Sequence, residues 1–404
     1  MAAIAFIFVL CSLLEENSLY KVDVFVYVLV LVSLLSFAIG CEVKIKSKKQ
    51  ENYVLNTKVY YFAYIVFLSI VSIPTINSLI ILIQGKGLNY IYQLYLGAMQ
   101  SGEINELGIN GVIALLYTYI GLPLVYVLCV ASLSMFYISR RKRFLLLAYP
   151  PVLINFLFTS GKNVILFALA ATIVLFLFFY KDKKSTNVSN KKKKFANKAI
   201  KNVSVFAVSG VLLLVIIMMA RKGMDSLSEA LDYVFLYFAK PFVLFSERIN
   251  RFENANTFGL LSTYGFTRPL LQALEKIGIE EAPIFENVES VFASIEDAVY
   301  VGENAYTNAM PTAVYYFYID GGVLGVVLLS FLVGVFAKKF FCDAHYSPNA
   351  RTLSYLLLFF AVVLFYYFFL FNVVNFRRAL PFIYLLFFFR KSQSSLFSRK
   401  VIKQ

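Results

Sequence analysis

The chain has 404 residues, of which 60% are hydrophobic and only 15% are charged, and it carries a net charge of +15. Soluble domains are about 45–50% apolar and about 25% charged, so this composition excludes an ordinary soluble protein. The basic residues lie mostly in loops between apolar stretches, where they fix topology and contact lipid headgroups. The sequence therefore predicts a protein of the lipid bilayer with no nucleic acid partner.

Ten apolar stretches are predicted to cross the bilayer as helices. A helix needs about 20 apolar residues to cross. They are 2–14, 22–41, 59–83, 108–137, 144–160, 163–180, 202–220, 312–337, 352–371 and 377–389. The first is interpreted as a retained span, because no Lys or Arg precedes it and no small-residue cleavage site follows it. The expected fold is all-α and polytopic, with about ten transmembrane helices.

One long polar insert separates the seventh span from the eighth. Ser226 and Glu229 fit the capping box of a helix start near its beginning. The insert is therefore predicted to be a large, folded, helical loop rather than a tether. The predicted organisation is 1–220 for seven spans, 221–311 for the loop, and 312–404 for three spans and the tail.

The charges indicate which side of the membrane each loop occupies. Basic clusters at 42–58, 140–143, 181–201, 338–351 and 390–403 alternate with the other loops and hold 26 of the 38 Lys and Arg residues. They hold only four of the 23 acidic residues. Because Lys and Arg stay on the cytoplasmic side, both termini are predicted to be cytoplasmic. The large loop then faces outward, into the periplasm of a Gram-negative host.

Several classes of function fit this pattern poorly. The spans contain almost no ionisable residues and show no obvious repeat, which disfavours an ion-coupled carrier. The four cysteines lack the spacing of a metal site or a disulfide framework. His345 is the only histidine, and the predicted topology places it in the cytoplasm. The chemistry is therefore expected at the outer face, without a metal ion or other cofactor.

Basic residues in short outer connections are the first candidates for that chemistry. They are Lys162, Arg221, Lys222, Arg377 and Arg378. Cations in such turns run against the positive-inside tendency. One interpretation is that each side chain snorkels to outer headgroups. The other is a cationic pocket for a diphosphate, since Arg offers a rigid two-pronged fork to phosphate oxygens.

The end of the loop and the start of the eighth span supply polar and aromatic residues. Acids between 280 and 303 are mostly expected on a solvated face, although one of them is a candidate base. Asp320 is expected to be only partly protected from water, and Gly321 and Gly322 to let another backbone approach closely. The tyrosines between 315 and 318 suit sugar faces, and the alternative is an aromatic belt at the membrane surface.

These segments resemble a known family. Tyr237-Phe238-Ala239-Lys240-Pro241-Phe242 is similar to the aromatic "Y-x-x-x-P" segment of bacterial O-antigen and capsule polymerases, and Asn256-Thr257-Phe258-Gly259 to their "TFG" segment. Asn304 to Thr307, followed by Tyr318-Ile319-Asp320-Gly321-Gly322, resembles their "N-x-x-T … D-F-G" entry into a late span. Ser160-Gly161-Lys162 resembles their "G-S-R" outer turn, with Lys where Arg is common. Gly321 stands where Phe is common.

The resemblance implies a polymerase of oligosaccharide repeat units in the bacterial inner membrane. Its substrates would be undecaprenyl-diphosphate-linked oligosaccharides, and a chain-length regulator protein is a further implied partner. The growing chain would leave its carrier at the periplasmic face and join the nonreducing end of a new unit. Such a metal-independent glycosyl transfer needs a carboxylate base and cations that stabilise the departing diphosphate.

The candidate site residues follow from this chemistry. Glu303 or Asp320 is expected to act as the base or to hold the acceptor hydroxyl. Lys162, Arg221, Arg377 and Arg378 are assigned to the diphosphate. Arg248 and Arg251 are assigned to donor or acceptor binding, and Asn304, Tyr306 and Thr307 to the shape of the sugar site.

Two other functions remain open at this stage. An O-antigen ligase shares the large outer loop but typically uses an outer histidine, which this chain lacks on that side. A lipid-linked oligosaccharide flippase or another transporter would need charged residues deep in its bundle. The polymerase is therefore the preferred interpretation.

Overall fold

The computed structural model describes residues 9–10, 19–45, 53–184, 219, 227–252, 256–269, 283–303, 306–308, 312–365, 367 and 375–391. These residues are predominantly helical. Five of the helices are long and apolar enough to cross a membrane: Val24–Glu42, Thr57–Ile83, Gly111–Ser139, Asn163–Tyr180 and Ala313–Tyr346. They fall on five of the ten predicted spans, so the helical structure is compatible with the predicted all-α membrane protein.

The elements in chain order have the following bounds. They are α1 Val24–Glu42, β1 Tyr53–Leu55, α2 Thr57–Ile83, α3 Leu88–Ser101, α4 Gly111–Leu116, α5 Leu122–Ser139, α6 Lys142–Ala148, α7 Pro150–Thr159, α8 Asn163–Lys184, α9 Leu227–Arg248, α10 Pro283–Glu296, β2 Ala298–Tyr300, β3 Tyr306–Asn308, α11 Ala313–Tyr346, α12 Ala350–Phe359, α13 Phe376–Phe388 and β4 Phe389–Lys391. A π-helix, Tyr117–Gly121, joins α4 to α5, and a second, Phe360–Leu364, follows α12.

The other predicted spans differ from the structure or lie outside it. The stretch 144–160 forms two short helices, α6 and α7, because Pro150 and Pro151 interrupt the helical hydrogen bonds. The last stretch forms the 13-residue helix α13. The stretches 2–14 and 202–220 lie almost wholly outside the described residues. Ten spans therefore remain a prediction.

Two short antiparallel ribbons depart from an all-helical fold. β1 pairs with β4, with Val54 opposite Arg390, and β2 pairs with β3, with Val299 opposite Thr307. The large predicted loop thus contains α9, α10 and the hairpin β2–β3. The chain folds into two compact units, called here unit 1 (1–45, 226–339 and 362–379) and unit 2 (46–225, 340–361 and 380–404).

Helix α5 forms the core of unit 2. Its residues from Pro123 to Ser134 are all buried, as expected of a helix that is apolar on every side. Pro123 has no N–H for the carbonyl four residues earlier. The hydroxyl of Tyr384 donates to that carbonyl, on Tyr119, at 2.7 Å. The π-helix and the proline are therefore accommodated by a side chain of α13.

Helix α3 was not predicted, and it contains no charged residue. It lies between α2 and α4, with Ile91 and Ala98 buried and Asn89, Gln93 and Gln100 exposed. Beyond its ends, Lys86 pairs with Glu106 at 2.9 Å. Hydrogen bonds from Tyr90 and from Lys86 lower the pKa of Glu106. These contacts close the connection between α2 and α4.

In unit 1, helix α1 packs closely against α11. A Cβ atom built on Gly40 would lie 2.2 Å from the carbonyl oxygen of Phe331, and one on Gly334 would lie 2.2 Å from that of Phe37. Only glycine permits this approach, as in other membrane helix pairs. The buried hydroxyls of Ser33, Ser330 and Tyr367 also hydrogen-bond to one another at 2.7–2.9 Å.

Candidate functional site

Helix α11 is broken near its N-terminal end. A straight helix of 34 residues would be about 51 Å long, well beyond the roughly 30 Å hydrocarbon core. The backbone leaves the helical conformation at Gly321 and Gly322, where Gly322 has a φ of +58°. A Cβ atom on Gly325 would lie 2.2 Å from the carbonyl oxygen of Phe317. Residues eight apart in a straight helix are about 12 Å apart, so the chain bends sharply here.

The glycines therefore act differently from the prediction. Among the described residues, no atom lies within 4 Å of a Cβ built on Gly321 or Gly322. The close backbone approach occurs instead at Gly325. The bend lies at Gly321 and Gly322, and it requires glycine at Gly322, because glycine reaches a positive φ without the steric cost that a side chain would bring.

Asp320, the last residue before the bend, is 2% exposed, and the expectation that it would be only partly protected from water is wrong. Its carboxylate accepts hydrogen bonds from the Thr257 hydroxyl at 2.5 Å, from the Leu261 N–H at 3.1 Å and from the Ser262 N–H at 2.9 Å. The Ser262 hydroxyl also donates to it. The sequence did not single out Ser262, which lies outside the family-like motifs.

The backbone around Asp320 adds a further bond to the same segment. Its carbonyl accepts from the Phe258 N–H at 2.9 Å. The last carbonyls of a helix have no partner within the helix, and a neighbouring segment of the protein can supply donors to them. Phe258 has a φ of +52° and its side chain is 78% exposed. Hydrogen bonds thus join two of the family-like motifs, Thr257-Phe258-Gly259 and Asp320-Gly321-Gly322.

Arg248 has a different setting from the one predicted for a substrate ligand. It is 2% exposed at the end of α9. Its guanidinium donates to the Ile295 carbonyl at 2.7 Å and also to the Asp297 carbonyl. A cation there suits the negative end of α10 and its carbonyls. Burial lowers the pKa of Arg248, and nearby Tyr315 acts in the opposite direction.

Arg251 and Glu303 are more accessible than Arg248. The guanidinium of Arg251 lies 3.4 Å from the carboxylate of Asp297, and both side chains are about half exposed or more. Asp297 directly precedes β2. Glu303 is exposed in the loop of the hairpin β2–β3. The structure thus brings Arg248 and Arg251 to the segment that leads into the hairpin carrying Glu303.

The predicted outer turn in unit 2 is built on a chain of hydrogen bonds. The Tyr117 hydroxyl donates to Asn155 Oδ1 at 2.5 Å, and the Thr159 hydroxyl donates to the Asn155 carbonyl at 2.7 Å. The Gly161 N–H then donates to Thr159 Oγ1 at 3.1 Å. Lys162, partly buried, stands directly before α8 and its carbonyl accepts from Leu166. This network fixes the turn that carries the lysine.

Arg377 and Arg378 occupy the first turn of α13. The side chain of Asn375 accepts from the Arg377 N–H at 3.1 Å, which is the hydrogen bond of a helix N-cap. Both arginines are partly buried. Cations are disfavoured at a helix N-terminus, where anions are stabilised. Two adjacent arginines at this position are therefore suited to an anionic ligand.

Some predicted site residues cannot be placed. Arg221 and Asn304 lie outside the described residues. The backbones of Tyr306 and Thr307 lie in β3, but their side chains are outside the described part. Among the side chains that the structure describes, no group of three or more His, Cys, Asp or Glu residues could hold a metal ion.

No family model, curated protein or solved structure matches this chain.

Proposed function

We propose that this protein is a membrane glycosyltransferase that polymerises undecaprenyl-diphosphate-linked oligosaccharide repeat units at the periplasmic face of the inner membrane. The observation that best supports the proposal is the pairing of Thr257 with Asp320. Two short segments, each similar to a motif of the polymerase family, are 63 residues apart in sequence. Because the two segments hydrogen-bond to each other, one structural role explains why both motifs are found in this chain.

The proposed reaction needs few protein groups. A hydroxyl at the nonreducing end of the new unit attacks the anomeric carbon of the growing chain. The bond from that carbon to the diphosphate oxygen breaks, and the electron pair leaves with undecaprenyl diphosphate. A carboxylate takes the hydroxyl proton, and cations stabilise the negative charge on the leaving group.

Accessibility favours Glu303 over Asp320 as the group that takes the proton. The carboxylate of Asp320 already accepts from four donors within the protein, whereas Glu303 is exposed. In this proposal Asp320 positions the loop segment 257–262. Arg251 is exposed enough to contact a substrate, while Arg248 holds the end of α10.

The diphosphate is assigned to the cationic residues that stand at helix starts. Arg377 and Arg378 combine two positive charges with the positive end of the α13 dipole, which is a favourable setting for phosphate oxygens. Lys162 and Arg221 remain predicted contributors. Single substitutions Arg377→Ala and Arg378→Ala are expected to abolish long-chain product while leaving protein levels intact. Near-normal polymer from both variants would reject this assignment.

A deletion strain tests the function itself. A polymerase mutant is expected to keep one repeat unit on its acceptor, seen as a single band on a lipopolysaccharide or capsule gel. Loss of every unit from the acceptor would instead indicate a ligase. Accumulation of lipid-linked units inside the cell would indicate a flippase.

A further inference from the structure

Two tyrosines outside the family-like motifs lie at the hairpin β2–β3. Tyr20 and Tyr300 are 41% and 60% exposed. The N–H of Tyr20 donates to the carbonyl of Val301 at 2.8 Å. The segment that precedes α1 therefore runs along the hairpin, next to Tyr300.

The core of unit 1 explains why both rings are exposed. Leu19 and Val301 are buried in one hydrophobic cluster with Ala239, Val243 and Leu244 of α9. Successive side chains of an extended chain point to opposite sides. Because Leu19 and Val301 face the core, their neighbours Tyr20 and Tyr300 are directed away from it.

An exposed carboxylate follows in the same hairpin, where bends at 301–303 end the alternation of the strand. Glu303 is exposed two residues after Val301 in the same hairpin. A tyrosine ring offers a flat apolar face together with a hydroxyl, and an ionised carboxylate offers only hydrogen-bond acceptors. A sugar ring has the complementary features, namely an apolar C–H face and several hydroxyl donors.

We propose that Tyr20, Tyr300 and Glu303 form a binding subsite for a sugar ring of the lipid-linked oligosaccharide. This inference rests on the proposed function and adds the residues that hold the sugar. α1, a candidate membrane span, begins at Val24, four residues after Tyr20. The subsite thus lies close to the membrane surface, where the sugars of a lipid-linked unit emerge.

The absence of tryptophan from the chain allows a direct measurement. The variant Tyr300→Trp of the full-length protein contains a single tryptophan, at the proposed subsite. Phe266→Trp is a matched control, because Phe266 is a partly exposed aromatic residue in another segment of unit 1. The probe is the lipid-free oligosaccharide released by mild acid from the lipid carriers of the host.

The expected result is a saturable change in the tryptophan emission of the Tyr300→Trp variant with this oligosaccharide, and no change in that of the Phe266→Trp variant. Equal responses of the two variants would overturn the inference. A response of the Tyr300→Trp variant to sugar-free phospholipid vesicles, without a response to the oligosaccharide, would assign the rings to the membrane surface instead and would also overturn it.

A second pair of variants separates ring stacking from apolar packing. Tyr20→Leu and Tyr300→Leu retain an apolar side chain but lose the flat ring, and are expected to weaken oligosaccharide binding at least about tenfold, or 1.4 kcal/mol. Tyr300→Phe retains the ring and is expected to bind within a few-fold of the parent. Calorimetric affinities measure both. Leucine variants that bind the oligosaccharide with the parental affinity would contradict the subsite. This conclusion would hold even if the variants had a lower melting temperature.

The two proposals fail in distinguishable ways. If the deletion strain still makes long polysaccharide while the Tyr300→Trp variant responds to the oligosaccharide, the polymerase function is rejected and the sugar subsite stands. If the strain retains a single repeat unit while the emission of that variant does not change, the subsite is rejected and the function stands.

Discussion

The side chain of Asp320 lies in a site that water barely reaches. A buried carboxylate is tolerated only when hydrogen-bond donors compensate for its lost hydration. All four donors to Asp320 come from the six residues between Thr257 and Ser262. The side chain therefore anchors this loop segment to the end of the broken helix, and its carbonyl adds the bond to Phe258.

The substitution Asp320→Asn tests this anchoring role. One carboxylate oxygen becomes an NH2 group facing other N–H donors, so the free energy of unfolding is expected to fall by about 3 kcal/mol. Thermal unfolding of the purified protein measures the change. Asp297→Asn alters an exposed carboxylate and serves as the control. A variant that melts like the parent but forms no polymer would support Asp320 as the base.

Glu303→Gln should have the opposite profile. The side chain is exposed, so the melting temperature is expected to be unchanged. Loss of a general base typically lowers the rate about 10²- to 10⁴-fold, and the polymer ladder formed by purified protein measures this rate. Glu286→Gln, at an exposed position of α10, is the matched control. A parental rate for Glu303→Gln would remove this residue from the mechanism.

At the scale of elements, the contact between α1 and α11 depends on two glycines. Gly334→Ala places a Cβ atom 2.2 Å from the Phe37 carbonyl oxygen, so the helices must separate. Overpacking of this kind costs about 1–3 kcal/mol, which thermal unfolding in detergent can detect. Gly97→Ala in α3 meets no atom of the described part of the chain within 4 Å and is expected to be neutral or stabilising. Equal effects of the two changes would contradict the close packing.

Long apolar runs made five spans recognisable from the sequence. The period and length of an apolar run report directly on burial in lipid. The break in α11 was not predicted, although Gly321 and Gly322 were recognised as unusual. A pair of glycines is compatible with both close helix packing and a bend. The bend follows from the interaction of Asp320 with a distant loop, which the local sequence does not reveal.

Local sequence was a weaker guide to the short elements. α3 was missed because 14 residues are too few to span a bilayer and its polar face carries amides rather than charges. The pairing of β1 with β4 joins residues more than 330 positions apart, so the local sequence of either strand does not indicate its partner.

The candidate site was predicted unevenly for the same reason. The exposed Glu303 and the cations at helix starts could be selected from residue type and predicted sidedness. The burial of Arg248 and Asp320 could not, because it depends on the carbonyls of α10 and on the loop segment near Thr257. Tyr20 was overlooked because its neighbour, the hairpin, lies about 280 residues later in the chain.

At the scale of the whole molecule, the distribution of charge makes a prediction about sidedness. A cysteine introduced at Ser290 should react with a membrane-impermeant maleimide added to intact cells. A cysteine introduced at Arg390 should react only after the cells are opened. Both positions are exposed, so accessibility within the protein does not limit labelling. Cys129 and Cys342 are buried and Cys41 is partly buried, so the parent protein with its four native cysteines is labelled in parallel to give the background. The reverse labelling pattern would invert the topology and reject the outer-face chemistry.

The carbonyl that Pro123 leaves without a helical donor has a consequence for biogenesis. Its partner, the Tyr384 hydroxyl, is synthesised 265 residues after Tyr119, and β4, the partner strand of β1, follows immediately. During translation, therefore, this hydrogen bond and the pairing of β1 with β4 can form only after α13 and β4 have been synthesised. A chain that ends before α13 therefore lacks both the Tyr384 hydrogen bond and the strand that pairs with β1.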